Sequence, residues 1–264
     1  MRSVLTIAGS DPSGGAGLQG DLKTFAAHRV YGMAVVTAIT VQNTTGVTRV
    51  EPVAADLVAA QLAAVLSDID PDAIKIGMLA TAAVVRVVAA ALLKHRNSRA
   101  TGLPDWQVIL DPVMSATQGG ALLDVEGVTA LREKLLPIAT VVTPNTLEAE
   151  RITNMRVRSV AEARRAAEQL VALGAGAAIV TGGHLEGPPI DVVFDGQQIS
   201  EITGERIDSR HTHGTGCAFS SALAARLVHG DDLATAALGA KSYVAQAIAR
   251  APGLGHGRGP LGHS

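Results

Sequence analysis

Apolar positions in this chain fall into two patterns, short continuous runs and longer stretches with a helical repeat. The runs at 4–8, 34–40, 73–77, 108–110, 140–142 and 177–181 are rich in Val, Ile and Ala and end near Gly, Pro, Asn or Asp. Such runs read as strands buried on both faces, the form strands take in parallel sheets. Between them, 16–28, 54–67, 82–96, 125–136, 161–173 and 233–250 read as helices. A short strand is expected at 47–53, and the segments 190–194 and 198–202 flank Asp195-Gly196, a hairpin signal. Strand and helix in alternation predict the α/β class, with a mostly parallel central sheet and helices on both faces. No repeat and no linker rich in Pro, Gly or Ser divides the chain, so a single domain over 1–264 is expected, with one polar loop at 97–105.

Composition narrows the picture. Hydrophobic residues make up 47% of the chain and aromatics only 2%, so the core must be built from Ala, Val, Leu and Ile. That suits helices packed through small residues on Val/Ile strands. A net charge of −2 gives no electrostatic footprint for nucleic acid or an anionic membrane. One cysteine cannot form an internal disulfide, which fits a reducing compartment. The first apolar run meets Asp11-Pro12 too early for a signal peptide, and no run approaches a membrane span. The expected protein is soluble and cytoplasmic, with small-molecule partners and neither nucleic acid nor membrane.

The candidate chemistry sits where runs end. His213-Gly214-Thr215-Gly216-Cys217 leads into a small-residue segment that reads as a helix through Val228. A helix starting there aims free N–H groups and the positive end of its dipole at one point, a site for an anion such as phosphate. Cys217 falls on the first turn, where a thiolate is favoured. The plainer alternative is a tight turn before a buried helix, with Cys217 as a small core residue. A second Gly-rich stretch, 9–17, follows the first strand and belongs at the carboxyl edge of the sheet, where such folds bind ligands. It has neither the dinucleotide Gly-x-Gly-x-x-Gly spacing nor the Lys-Ser/Thr ending of a Walker loop. Asp111 closes a strand, and Glu148 stands three residues after Asn145, on the first turn of a helix that Thr143 or Asn145 can cap.

These stretches carry a resemblance. Ala8-Gly9-Ser10-Asp11-Pro12-Ser13-Gly14-Gly15-Ala16-Gly17, Asp21-Leu22-Lys23-Thr24-Phe25, Val41-Gln42-Asn43-Thr44 and Lys75-Ile76-Gly77-Met78-Leu79 belong to it. So do Asp111-Pro112-Val113-Met114, Thr143-Pro144-Asn145, Thr212-His213-Gly214-Thr215-Gly216-Cys217 and the tail Gly255-His256-Gly257-Arg258-Gly259-Pro260-Leu261. Together, over essentially the whole chain, they resemble the hydroxymethylpyrimidine/phosphomethylpyrimidine kinases of thiamine biosynthesis, within the ribokinase-like fold.

The resemblance implies transfer of the γ-phosphoryl group of ATP to 4-amino-5-hydroxymethyl-2-methylpyrimidine and then to its monophosphate. It puts Gln42 in the pyrimidine pocket with Gly9, Asp21 and Met78 around it. A carboxamide offers donor and acceptor side by side, the complement of an aminopyrimidine edge; a loop glutamine facing water is the alternative. Asp111 and Glu148 are the implied Mg²⁺ carboxylates, and Asn145 and Thr215 the nucleotide contacts. Gly214, Gly216 and Cys217 are the implied catalytic loop. As a partly formed thiolate, Cys217 is expected to take the alcohol's proton in the first transfer. The second nucleophile, a monoester with a second pKa of about 6, needs no such help. Thr181 stands before Gly182-Gly183 where the family often has a lysine, and Lys241 is expected on the surface. A dimer is the expected assembly. Pyridoxal kinase is the rival within enzymes, and a silent nucleotide- or pyrimidine-binding regulator the rival outside them.

Overall fold

The computed structural model describes residues 1–98, 106–116 and 119–263. The strands are β1 (Ser3–Ala8), β2 (Tyr31–Val36), β3 (Ala38–Asn43), β4 (Gly46–Pro52), β5 (Ala73–Ile76), β6 (Gln107–Leu110), β7 (Val141–Val142), β8 (Ala177–Val180), β9 (Ile190–Phe194) and β10 (Ile199–Thr203). The helices are α1 (Gly17–Ala27), α2 (Ala55–Leu66), α3 (Ala82–Ser98), α4 (Val125–Ala130), α5 (Thr146–Thr153), α6 (Val160–Ala172), α7 (Thr215–Val228) and α8 (Leu233–Ala249). The main sheet runs β10-β9-β8-β7-β6-β5-β1-β2, with β3 and β4 paired separately. From β2 to β8 the pairing is parallel; β9 and β10 add an antiparallel edge, the hairpin expected at Asp195-Gly196. From residue 99 onward, the polar loop expected at 97–105 lies outside the described residues.

Alternation along the strands divides the core. Leu5, Ile7, Ile74, Ile76, Val108 and Leu110 pack with residues of α2, α3, α5 and α6. Val4, Ala73, Ile109 and Val141 turn the other way, toward Phe25 of α1, Phe219 and Leu223 of α7, and Ala236 and Ala240 of α8. Alanines on α7 and α8 allow the close helix packing that the scarcity of aromatics requires. On this second face Thr6 of β1 and Lys75 of β5 are register partners, both without exposed surface.

Three expectations need correction. The run at 34–40 is not one strand. Thr37 is buried and breaks it, donating its N–H to Ala8 O (3.0 Å) and its hydroxyl to Met78 O (2.6 Å). Beyond it the chain leaves the main sheet as the β3–β4 hairpin, tied over the carboxyl edge by Ser10 N to Ala38 O (2.9 Å) and Thr40 Oγ1 to Ser10 O (2.9 Å). The helix at 125–136 is regular only as far as Ala130, then loosens into a π turn at Leu131–Leu135 and tightens into a 3₁₀ turn at Leu136–Ile138. Pro137, which has no N–H, lies in that last turn. Lys241 is no surface residue: its Nζ lies 2.8 Å from Asp191 Oδ2, with both side chains largely buried.

β1 has β2 on one side and β5 on the other, so successive strands depart from it in opposite directions. The crevice beyond the carboxyl ends of β1 and β5 is therefore the topological switch point, the place where open α/β sheets bind ligands.

Candidate active site

The loop leaving β1 is organised by one carboxylate. Asp11 Oδ1 accepts from Ser13 N (2.9 Å) and Ser13 Oγ (2.7 Å). Its Oδ2 accepts from Gly15 N (3.2 Å), Ala16 N (2.8 Å) and His213 Nε2 (2.7 Å). Burial works to raise the Asp11 pKa, but the hydrogen bonds from His213 and Ser13 outweigh it, and the group ends below the usual carboxylate range. Asp11 stays ionised at neutral pH.

Across the crevice, α7 begins uncapped. Its N-cap is Gly214, in the left-handed region at φ 85, with no side-chain cap and no acidic residue in the first turn. The first helical bond is Ala218 N to Gly214 O (2.8 Å), so the N–H groups of Gly216 and Cys217 have no intrahelical acceptor. Gly216 is exposed and a Cβ there would meet nothing within 4 Å, whereas a Cβ on Gly214 would collide with the Gly15 carbonyl. The two glycine-rich loops pack back to back through that contact, leaving an open cradle of N–H groups suited to an anion.

Behind the cradle lies a buried ionic cluster that the sequence reading missed. Lys75 Nζ is 3.0 Å from both oxygens of Asp21 and 3.6 Å from Asp111 Oδ2. Ser221 Oγ donates to Asp21 Oδ1 (2.8 Å), Thr6 Oγ1 to Asp21 Oδ2 (2.6 Å), and Ser220 Oγ to Asp111 Oδ2 (3.0 Å). Burial alone would lower the Lys75 pKa, but the Asp21 carboxylate, with Cys217 and Asp111, carries it above its ordinary value. The signal in the sequence was a lysine inside an apolar strand run; its partners lie on α1, α7 and the end of β6, which no local pattern reveals.

Cys217 departs from expectation here. Burial pushes its thiol up to about 12; Asp111 and Asp21 add to this, and Lys75 and the Gly17 N–H only partly oppose them. The helix N-terminus does not win, because burial of the thiol, with two carboxylates beside it, outweighs the dipole. In the free chain the Cys217 side chain is therefore held as a thiol at neutral pH. In the free enzyme, alkylation by iodoacetamide should stay slow and climb about tenfold per pH unit up to pH 9, in proportion to the thiolate fraction. A rate that plateaus near pH 7 would contradict this.

At the switch point itself, a Cβ on Gly9 would lie 3.0 Å from Met78 Sδ and 3.6 Å from Ala38 Cβ. Met78, Ala38 and Ala80 form a small apolar cluster with Val50, Val113 and Leu122 packed on it. Half-buried Gln42 reaches from β3 toward the second loop, its amide nitrogen 3.1 Å from His213 Nε2. Gly9 and Met78 are thus in contact at the switch point, while Gln42 contacts His213 and Thr40. Asp21 lies behind the crevice rather than in it: the residue has no exposed surface, and both its oxygens are engaged by Lys75, Ser221 and Thr6.

Nearby, Asp111 follows the end of β6 and Glu148 stands on the first turn of α5. Asn145 Oδ1 accepts from Leu147 N (2.9 Å) and Glu148 N (3.0 Å), while Glu148 Oε2 accepts from Asn145 N (2.9 Å), a complete capping box. Capping uses the Asn145 oxygen and leaves its amide nitrogen for a ligand. Glu148 is pushed up to about 8 by burial and by the Asp111 charge, against the Asn145 and Met114 N–H groups. Asp111 is raised as well, by burial first, with Lys75 and Ser220 opposing. Two hard carboxylates that each resist ionisation suit a divalent cation, and one or two such ligands are what Mg²⁺ usually takes from a protein. Among the described residues no three metal-binding groups converge. Thr215, half-exposed on the first turn of α7, completes the rim.

The sequence matches the family profile described as phosphomethylpyrimidine kinase over residues 11–262. It is 47% identical to the hydroxymethylpyrimidine/phosphomethylpyrimidine kinase of Rhizobium meliloti, with 98% of this chain and 96% of that protein covered. A thiamine biosynthesis bifunctional protein of Geobacter sulfurreducens is 45% identical, with 99% of this chain matching 52% of that longer protein. An ADP complex of Bacillus subtilis pyridoxal kinase superposes with a TM-score of 0.88 at 38% identity, covering 100% of this chain and 98% of that one.

Proposed function

The chain belongs to the phosphomethylpyrimidine kinase family, and from that premise we propose that the crevice between the β1 and β5 exits and the α7 N-terminus is its site of phosphoryl transfer. The protein is an ATP-dependent kinase that phosphorylates 4-amino-5-hydroxymethyl-2-methylpyrimidine and then the resulting monophosphate, in thiamine diphosphate biosynthesis. The observation that carries the site is the uncapped α7 N-terminus, held by Gly214 against the loop that also contains Gly9.

In this reading the Gln42 amide pairs with the aminopyrimidine edge, while Met78 gives the ring an apolar wall and Gly9 leaves it room. The hydroxymethyl group then faces the cradle of Gly214, Thr215, Gly216 and Cys217, whose N–H groups hold the transferring phosphoryl group. Lys75, behind the cradle, offsets the charge of Asp21 and Asp111. Asn145 offers its amide nitrogen to the nucleotide. Transfer of this kind relies on positioning and charge stabilisation more than on a strong base. A protonated Cys217 therefore serves both steps, contributing its backbone N–H while its neutral side chain adds no charge beside a dianionic substrate.

Asp111 and Glu148 would hold Mg²⁺, which when bound supplies neutralisation of the nucleotide phosphates. Glu148→Gln should raise the half-saturating Mg²⁺ concentration several-fold, by about 1 kcal/mol or more for a lost charge-assisted contact, and leave pyrimidine binding unchanged. An unaltered Mg²⁺ titration of activity would remove Glu148 from the metal site. A side activity on pyridoxal is the second reading, favoured by the likeness to a pyridoxal kinase structure. The enzyme acts as one ribokinase-like domain, in the cytoplasm and as a dimer. The outer face of the β3–β4 hairpin, with Ile39 and Val41 exposed, is the surface we assign to the dimer contact. A solution mass equal to a single chain would overturn the dimer.

A further inference from the structure

His213 stands where four parts of the chain meet. Its N–H donates to Gly259 O (3.2 Å), and it bridges Pro260 in the C-terminal segment. Its ring Nε2 lies 2.7 Å from Asp11 Oδ2 in the first loop and 3.1 Å from the Gln42 amide nitrogen on β3, and the residue is only 8% exposed. It is itself the residue before Gly214.

Hydrogen-bond bookkeeping decides how these groups are protonated. The Asp11 carboxylate accepts from Ser13 N, Ser13 Oγ, Gly15 N and Ala16 N, so toward His213 it can only accept. His213 Nε2 must carry the hydrogen. A second N–H cannot face it, so the Gln42 carboxamide is turned with its oxygen toward His213 and its nitrogen toward Thr40 Oγ1, the side where contact is 3.3 Å. Thr40 can accept there because its own hydrogen goes to Ser10 O (2.9 Å). In this orientation the Gln42 oxygen shares the single Nε2–H that points to Asp11 and the amide nitrogen donates to Thr40, whereas the reverse orientation sets two N–H groups against each other. One oxygen lone pair and one N–H of Gln42 then remain, in a fixed order, for a ligand.

We propose that His213, held by Asp11, is a positioning residue that locks the orientation of the Gln42 amide and so makes the crevice select a heterocycle with an amino donor beside a ring acceptor. The inference rests on Gln42 being the pyrimidine reader. A 4-oxo ring presents the reverse order, an acceptor beside a ring N–H, and would suit only the opposite amide orientation. The His213 N–H blocks that orientation. The lock also joins recognition to chemistry, since the same residue leads into the phosphate cradle.

The test compares kcat/KM for 4-amino-5-hydroxymethyl-2-methylpyrimidine with that for its 4-oxo analogue. His213→Leu frees the amide to turn, and the amino-to-oxo ratio should fall by about ten- to a hundred-fold, the discrimination one two-point hydrogen-bond pair provides. His213→Gln, which keeps an N–H for Asp11 and for Gln42, should restore most of the ratio. Asp11→Asn lets the partner donate, reverses the histidine tautomer, and should move the ratio in the same direction as His213→Leu. Equilibrium binding of the two pyrimidines without nucleotide, with a melt for each variant, separates selectivity from loss of fold. If Gln42→Leu leaves the aminopyrimidine KM unchanged, the reading beneath the proposal fails. If Gln42→Leu raises that KM while folded His213→Leu and Asp11→Asn both keep the wild-type ratio, the lock itself is overturned.

Discussion

A Gly214→Ala enzyme should fold and yet lose at least about a hundred-fold in kcat for both pyrimidines, since misplacing reacting groups by about an ångström has that effect. Gly214 sits at φ 85, where a residue with a Cβ is disfavoured by roughly 1–2 kcal/mol. The collision with the Gly15 carbonyl is the larger problem, because that atom belongs to a loop pinned by Asp11. The loops must separate, and the N–H groups of Gly216 and Cys217 swing away from the transferring group. Neither loop belongs to the main core clusters, so the melting temperature should shift by only a few degrees. Turnover at saturating ATP and pyrimidine, with a thermal melt of the same preparation, checks this. A kcat within about threefold of the parent would mean the cradle is not where phosphoryl transfer occurs.

Lys75→Met strikes the fold instead. The Lys75 and Asp21 side chains have no exposed surface, and Asp111 is close at hand. Removing one partner of a buried pair strands the remaining charge and destabilises by about 3–5 kcal/mol, because desolvation is no longer offset. For a chain of this length that is a fall of roughly 6–20 °C in Tm. The pH dependence has a definite sign. The folded-state pKa of Lys75 lies above its unfolded value. Its stabilising contribution is thus fully present below the unfolded value of about 10.4 and is lost only as pH rises through the folded one. In the Met variant the stranded carboxylates take up protons in acid, so its deficit against wild type should narrow from pH 8 to pH 5. Urea unfolding at those two pH values measures it. A constant deficit would show that lost packing, and not uncompensated charge, is the cause.

Much of the frame is legible in the sequence. The apolar run at the N-terminus is β1, the small-residue segment after Gly216 is helical through Val228, and Asp195-Gly196 turns a hairpin. These features are written in neighbouring residues. What was not legible depends on contacts across the fold. Thr37 breaks an apolar run only because Ala8 and Met78 offer it acceptors. Lys75 makes sense only once α1 and α7 bring Asp21 and Ser221 to it. Cys217 follows the local rule for a helix N-terminus until burial, with two carboxylates from elsewhere adding to it, reverses the outcome. The motif around Asp21 suggests a place beside the ligand, but a motif does not say which neighbours a buried carboxylate will find. The Asn145 and Glu148 spacing fits both a cap and a pair of ligands, and the capping box is there.

The most direct test of the account is ADP release from ATP with the aminopyrimidine alcohol, its monophosphate and pyridoxal as acceptors, run in parallel on one preparation. Both pyrimidines should drive ADP formation with matching appearance of the mono- and diphosphate, and pyridoxal should be the poorest of the three by kcat/KM. ADP release with pyridoxal but with neither pyrimidine would contradict the assignment of the crevice to an aminopyrimidine, and so would ADP release that does not depend on any acceptor.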